Sequence, residues 1–390
     1  CCCSCCCCRC CFIVFDFCAP GGAMTSSALI GHILDPLIDP FYADQDLKLD
    51  KTFGGGGGED EVRKDYVPGF RRSSVYGMDW AGDKLLVATK DSPGIRLQDV
   101  ERGEEERTWQ GEWMSIRCDP NNPHIAAAVS WNGKFKVFDT RSATQSVFDV
   151  DLKKTAPGMK EFLVLCWSPD SRHIALNNRS DQVYLLNLRT DKGDTSLRLG
   201  ASRNMNTEVN QMVWSREGDT LWVATGGTPG KINIFPANGL NGENSASVVA
   251  HQYATISLAA CPTGKYIASG GADCLVTLWD PKHLTCVRTF GYAVQAVTTL
   301  DFNHTGSMLA WGTTTGEKNL TIVGADTGVL YWQDPTPAPV QQLRWHPKRN
   351  VLAYALNASQ MPEERDVRGR GGVSGRDSAV IHTLKVPDSC

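Results

Sequence analysis

The sequence of 390 residues predicts an all-β fold, a seven-bladed β-propeller, and three observations lead to that prediction. A unit of similar sequence recurs seven times after residue 70, and each unit consists of apolar strands separated by turns. The units are anchored at positions 80, 118, 167, 214, 260, 302 and 345, which are 38, 49, 47, 46, 42 and 43 residues apart. A mean period of about 44 residues is typical of four-stranded propeller blades.

Each unit opens with an alternating apolar stretch that ends in Trp or an equivalent residue. These end residues are Trp80, Cys118, Trp167, Trp214, Ala260, Phe302 and Trp345. A turn such as Pro262-Thr263-Gly264 follows, then an Ala-rich strand and a second alternating strand such as Val276-Thr277-Leu278-Trp279. Period-two alternation with β-branched and aromatic residues indicates strands, and we find no stretch of period 3.6 that would indicate a helical solenoid.

The two ends of the chain are expected to close the ring. Propellers commonly join their first and last blades by pairing strands from both chain ends, which leaves few exposed sheet edges. We therefore expect a strand near Val62 to Val67, or just before it, to join the final blade beside Ala379 to Val386. The propeller is predicted to span residues 62–390.

The chain before the propeller is predicted to contain two segments. Residues 1–23 hold ten of the 16 cysteines, but lack a second ligand pair for zinc and the long apolar stretch of a secretory signal. We expect 1–23 to be a low-complexity Cys-rich tail outside the native protein, with lipidation or metal binding as alternatives. Residues 24–61 are predicted to be a flexible lead with a linker at Gly54–Gly58. The six later cysteines are expected to be reduced core residues.

Composition and motifs argue against several classes of function. The 39 basic and 43 acidic residues give a net charge of −4, so no global attraction to nucleic acid or anionic membrane is expected. No run reaches the roughly 18 apolar residues of a membrane span. None of the eight histidines forms a zinc-protease motif, and a G-x-S-x-G elbow is absent. The sequence predicts no enzyme, no metal and no cofactor, with a dispersed propeller active site as the alternative.

Two features are candidate binding positions. Trp131 falls in the turn between the second and third strands of its unit, where it is either a partner contact or a residue packed on a neighbouring loop. The insertion 361–378 contains Arg368 and Arg370 in an arginine-glycine run, which suggests RNA contact. Its four arginines are balanced by four acidic residues, so a solvated flexible loop is the alternative.

The fifth unit carries four residues that are expected to form a hydrogen-bond network. His251, Ser269, Asp273 and Trp279 resemble the WD-repeat signature, in which these residue types bond to one another inside a blade. Such a network is mainly structural, because its buried polar groups satisfy one another. The other units depart from this pattern and must depend more on apolar packing.

The last five units resemble the THO complex subunit 3 family of WD-repeat proteins over about 200 residues. The matching stretches include Cys166–Asp170, Glu208–Asn210, Gly264–Tyr266, Leu278–Asp280, Cys286–Arg288 and Trp345–Arg349. The resemblance implies a nuclear, non-enzymatic scaffold subunit of an assembly that couples transcription to packaging and export of mRNA. It further implies contact with large helical THO subunits and, through them, with a DEAD-box export helicase and RNA-binding export adaptors.

No site residue is carried over from that family, because the matching positions are turn and core positions of the repeat. An adaptor of another nuclear or cytoplasmic assembly, such as a ubiquitin ligase or chromatin complex, is the alternative. The string Trp345–Arg349 favours the THO family, since Trp-Ser-Pro-Asp pieces such as Trp167–Asp170 are common to many WD-repeat proteins.

Overall fold

The computed structural model describes residues 62–67, 70, 74–89, 94–142, 146–154, 158–191, 194–237, 239–240, 245–314, 319–361 and 381–387. Every described residue belongs to the compact unit Leu49–Cys390. The predicted segments 1–23 and 24–61 lie outside the described residues, and their boundaries stay predictions. Arg368 and Arg370 also lie outside the described residues, and their contact with RNA stays a prediction.

The described residues form 28 strands in seven antiparallel sheets of four strands each. The first strand is β1 (Arg63–Val67). Blade 1 contains β2 (Val75–Ala81), β3 (Lys84–Thr89), β4 (Ile95–Asp99) and β5 (Glu104–Trp109). Blade 2 contains β6 (Ser115–Cys118), β7 (Ile125–Val129), β8 (Lys134–Asp139) and β9 (Ser146–Asp151). Blade 3 contains β10 (Phe162–Trp167), β11 (His173–Asn178), β12 (Gln182–Asp191) and β13 (Asp194–Asn204).

The second half of the ring follows the same plan. Blade 4 contains β14 (Val209–Trp214), β15 (Thr220–Thr225), β16 (Gly230–Pro236) and β17 (Ala246–His251). Blade 5 contains β18 (Thr255–Ala260), β19 (Ile267–Gly271), β20 (Val276–Asp280) and β21 (Thr285–Phe290). Blade 6 contains β22 (Val297–Phe302), β23 (Met308–Thr313), β24 (Leu320–Gly324) and β25 (Leu330–Asp334). Blade 7 contains β26 (Val340–Trp345), β27 (Val351–Leu356) and β28 (Ile381–Lys385). Two single-turn 3-10 helices, Leu152–Lys154 and Ala358–Gln360, lie between strands.

The seven blades form a closed ring. The first strand of each blade contacts the first strands of both neighbouring blades, and β26 of blade 7 contacts β2 of blade 1. Strand β1 completes blade 7 from the other end of the chain, pairing with β28 in a register that sets Arg63 opposite Lys385 and Val67 opposite Ile381. The predicted closing strand is therefore confirmed, as are the seven-bladed architecture and the all-β class.

Burial decreases from the second strand of a blade to its outermost strand. All six residues of β23 and of β27 are buried, because both surfaces of a middle strand face neighbouring blades. The largest fully buried side chains, Trp222, Trp311 and Tyr354, all lie in second strands. In the outer strand β21, by contrast, five of six residues are exposed. The Ala-rich second strands predicted from the sequence are thus the layers on which adjacent blades pack.

The antiparallel order gives the ring two faces. Turns that join first to second strands and third to fourth strands lie on one face, which we call the 1–2 face. The remaining connections lie on the other, which we call the 2–3 face. Among the described residues no helix is long and apolar enough to cross a membrane.

Cys390 lies outside the described residues, and of the five later cysteines that the structure describes only Cys261 is the buried core residue that was predicted. Cys118 and Cys166 are half-buried and line the central channel, and Cys274 is half-buried in a turn. Cys286 is exposed on β21. All five are free thiols. A small apolar side chain is tolerated on the channel wall and on an outer strand as well as in the core.

Candidate functional site

The central channel opens on the 1–2 face into a cavity of about 450 Å³. The residue before each anchor position lines this cavity in every blade. From blade 1 to blade 7 these residues are Asp79, Arg117, Cys166, Val213, Ala259, Asp301 and Arg344. The channel wall is therefore two-sided: blades 6, 7, 1 and 2 contribute alternating acidic and basic residues, whereas blades 3, 4 and 5 contribute uncharged ones.

The two channel carboxylates tie neighbouring blades together. Asp79 accepts hydrogen bonds from the backbone N–H of Trp80 at 2.9 Å and from that of Cys118, in the next blade, at 2.8 Å. Asp301 in blade 6 repeats the arrangement, accepting from Trp345 N of blade 7 at 2.9 Å. Charge-assisted bonds of this kind are among the stronger hydrogen bonds in proteins. These aspartates therefore hold the inner strands in register across blade boundaries.

The enclosed channel wall shifts the titration of its charged groups. Burial, assisted by the nearby charge of Arg344, lowers the pKa of Arg117 to about 10. Burial raises the pKa of Asp301 to about 6, although Arg344 and the Trp345 N–H act in the opposite direction. Burial also raises the pKa of the Cys166 thiol to about 12. A thiol that stays protonated at neutral pH is a poor nucleophile.

The turn between β26 and β27 joins blade 7 to blade 1. Arg349 pairs with Glu101 at 2.6 Å and with Asp83 at 3.3 Å, both in turns of blade 1. The indole of Trp80 donates to the carbonyl of Arg344 at 3.1 Å. The residues of the string Trp345–Arg349 thus form part of the seam where the ring closes.

His346 occupies the centre of this seam in one tautomer. Its Nδ1 accepts hydrogen bonds from the backbone N–H groups of Lys348 and Arg349, both at 3.1 Å. The Nε2 must then carry the proton, which it donates to Asp83 at 3.1 Å. The imidazole also packs edge-on against Trp80, with 4.8 Å between ring centroids. Burial lowers the pKa of His346, in keeping with a neutral ring.

The network expected in blade 5 is assembled as one chain of hydrogen bonds. Trp279 Nε1 donates to Ser269 Oγ at 3.0 Å, and Ser269 Oγ donates to His251 Nε2 at 2.8 Å. His251 Nδ1 in turn donates to Asp273 at 2.9 Å. Thr277, which was not among the four predicted network residues, also bonds to Ser269 Oγ, at 2.6 Å. Burial lowers the pKa of His251 even though Asp273 opposes the shift, so the imidazole is neutral. Each group between Trp279 and Asp273 therefore accepts one hydrogen bond and donates the next.

Trp131 is half-buried in the turn between β7 and β8, so it is neither a core residue nor a fully exposed anchor. The guanidinium of Arg179, from blade 3, lies 5.8 Å from the centroid of its indole ring. The backbone carbonyl of Trp131 accepts a hydrogen bond from Glu161 N at 2.8 Å. Trp131 lies on the 2–3 face, and its contact with a partner protein stays a prediction.

Ser269, His251 and Asp273 are bonded in the order of a Ser-His-Asp triad, but the Ser269 hydroxyl is completely buried inside blade 5 and cannot meet a substrate. No group of three or more His, Cys, Asp or Glu side chains is placed to hold a metal ion anywhere in the described ranges. The channel charges and the seam residues bond to neighbouring blades. The four predicted network residues bond to one another. Sequence reasoning missed the channel charges, although their signal was present: each is the residue before an anchor, as in Asp79-Trp80 and Arg344-Trp345.

The ring and the blade 5 network define a WD-repeat β-propeller. The family model "WD domain, G-beta repeat" matches residues 242–280, which include that network. The crystal structure of the Cps50 (Swd1) β-propeller domain from Myceliophteria thermophila superimposes with a TM-score of 0.63 at 15% identity. The match covers 83% of this chain and all of that one. At this identity the likeness shows the fold alone.

Three curated relatives narrow the assignment. THO complex subunit 3 of Arabidopsis thaliana is 30% identical over 237 residues, covering 61% of this chain and 69% of that protein. WD repeat-containing protein AAC3 of Dictyostelium discoideum is 26% identical over 62% of this chain and 50% of its own length. Protein TEX1 of Saccharomyces cerevisiae is 26% identical over 50% of this chain and 46% of its own length. The chain belongs to the THO complex subunit 3 family.

Proposed function

We propose that this propeller is a non-enzymatic scaffold subunit of a nuclear THO complex, the assembly that couples transcription to packaging and export of mRNA. The observation that carries the proposal is the 30% identity to a THO complex subunit 3 over 69% of that protein's length. The partners in direct contact are large helical THO subunits. A DEAD-box export helicase and RNA-binding export adaptors join through them.

The chemistry of the described residues supports a scaffold. The most perturbed groups, among them Arg117, Cys166 and Asp301, make blade-to-blade ties or are held in an unreactive protonation state. A closed ring with two loop-bearing faces can present several binding surfaces at fixed distances. Function in such a protein depends on which loops its partners contact.

An adaptor of another assembly, such as a ubiquitin ligase or chromatin complex, is the second candidate. One observation favours it: a cofactor of the APC complex, cell division cycle 20.1 of Arabidopsis thaliana, is 23% identical over 237 residues. This match covers only 50% of that protein, and its identity is lower than that of the THO relative.

Affinity purification of the tagged full chain from nuclear extract, followed by mass spectrometry, tests the proposal. We expect large helical THO subunits in near-equimolar amounts with the bait. The matched control is the same tagged chain without residues 379–390, which lacks β28 and should lose these partners together with ring closure. Recovery of another stable complex that contains no THO subunit would overturn the proposal.

A further inference from the structure

A cleft of about 610 Å³ lies on the 1–2 face between blades 6 and 7. It is formed by the turn after β22, the turn after β26 and the end of β28. Its charged lining residues among those described are all basic: Lys348, Arg349 and Lys385. Described carboxylates do not line this cleft, but Arg349 and Lys385 also line the neighbouring cleft between blades 7 and 1, where Asp65 and Glu101 lie.

The positive charge of this cleft is only partly neutralised. Arg349 is committed to Asp83 and Glu101 across the seam. Lys348 and Lys385, by contrast, have exposed side chains that form no ion pair with any described residue. Both ammonium groups are therefore available to a ligand that approaches the 1–2 face.

The closing strand adds to this charge. Arg63 stands directly opposite Lys385 in the β1–β28 ladder. Residues that face each other in this way project to the same side of the sheet about 5 Å apart, and like charges there are destabilising. Arg63 also lacks an ion pair with the described part of the chain. Asp65, two residues further along β1, projects to the same side of the sheet, so a carboxylate already lies near this pair of cations.

The cleft also offers a hydrogen-bond donor. Thr305 and Ser307 line it, and their hydroxyl oxygens are 2.8 Å apart. Asn303 donates its side-chain amide to both hydroxyls, at 3.0 and 3.2 Å. One of the two hydroxyls donates its proton to the other. The hydroxyl that accepts can therefore donate its own proton to an acceptor in the cleft.

These groups favour carboxylates over a nucleic acid. Sequence-tolerant binding of single-stranded RNA uses aromatic faces on which bases stack, and the one aromatic ring in the described lining is the half-buried imidazole of His304. The guanidinium of Arg349 would suit a phosphate, but it is already paired with Asp83 and Glu101. Two free ammonium groups beside a hydroxyl donor match separate carboxylates along an extended chain.

We propose that the cleft between blades 6 and 7 binds an acidic segment of a partner protein, whose Asp or Glu carboxylates pair with Lys348 and Lys385. This inference concerns the chemistry of the occupant and stands whichever assembly contains the propeller.

The test is fluorescence anisotropy of a fluorescein-labelled heptapeptide with five glutamates, titrated with the full chain at low salt. Lys348→Glu combined with Lys385→Glu should weaken binding at least about tenfold. The matched control is Lys153→Glu with Lys154→Glu, which makes the same change in net charge at two exposed positions on the 2–3 face. The control should bind as the unchanged chain does, and all three proteins should have the same circular dichroism spectrum. Lys385→Glu places a carboxylate opposite Arg63, so the melting temperature of the first variant should be no lower than that of the unchanged chain.

Three outcomes would overturn the proposal. Equal weakening by both double variants would show attraction to net charge alone. Tighter binding of a labelled ten-nucleotide oligouridylate, lost in the Lys348 and Lys385 variant, would assign the cleft to RNA. If the peptide binds only after Glu59, Asp60 and Glu61 are changed to their amides, the occupant is this chain's own acidic run, which precedes β1 by one residue.

Discussion

Replacement of Asp273 by Ala is expected to destabilise the ring through the network in blade 5. The Asp273 carboxylate accepts from His251 Nδ1 and from Gln252 N, both at 2.9 Å, and from Leu275 N at 3.3 Å. Its removal leaves the Nδ1–H of a fully buried imidazole without a partner, since Ser269 already occupies Nε2. An unsatisfied buried donor costs about 1–3 kcal/mol, and loss of the exposed Gln252 bond adds about 1 kcal/mol. The expected loss is therefore about 2–4 kcal/mol.

Urea unfolding followed by tryptophan fluorescence measures this loss as a lower midpoint at pH 7.5. Asp280→Ala is the matched control, because that carboxylate also accepts two backbone N–H groups and one imidazole, here from Lys282 and His283. Asp280 lies at an exposed turn, so water replaces its bonds and the midpoint should fall much less. Equal midpoints for the two variants would refute the reasoning, because burial would then not determine the cost.

Three further outcomes are expected. Lowering the pH from 7.5 to 5.5 should lower the urea midpoint of an Asp301→Asn variant. Burial depresses the pKa of both His251 and His346, so the stability supplied by their neutral forms is present above about pH 6.5 and is lost below it. Asp301 is replaced because burial raises its pKa to about 6, so its protonation in the folded chain would add stability over the same range; an unchanged midpoint would contradict this. Deleting residues 379–390 should abolish the single cooperative melting transition, because β28 and its pairing with β1 are lost; an unaltered melting curve would exclude this closure. Arg349→Ala should cost about 0.5–1 kcal/mol in urea unfolding, because its ion pairs with Glu101 and Asp83 are partly exposed; a loss as large as that of Asp273→Ala would contradict the surface nature of these pairs.

The sequence predicts the ring and its closing strand because both depend on local pattern. The anchor spacing defines the blades, and the need to close the ring with strands from both chain ends places one near Val62 to Val67. Residues of the blade 5 network were also recognisable, since their types recur at fixed places in the WD repeat. The seam was not predictable, because His346 and Asp83 are 263 positions apart and become neighbours only when the ring closes. Cys286 was misplaced because alternation does not distinguish an outer strand from an inner one.

The turn after β26 separates stability from binding within a few residues. His346 and Arg349 point toward blade 1, where they bond to Asp83 and hold the ring closed. Lys348, between them in sequence, lines the cleft shared with blade 6 and forms no ion pair with a described residue. A change at Lys348 should therefore weaken binding of an acidic peptide and leave the melting temperature unchanged. Arg349→Ala should lower the melting temperature, because its guanidinium belongs to the seam. If Lys348→Glu instead lowered the melting temperature as Arg349→Ala does, the turn would be a single structural unit and the cleft would have no separate role.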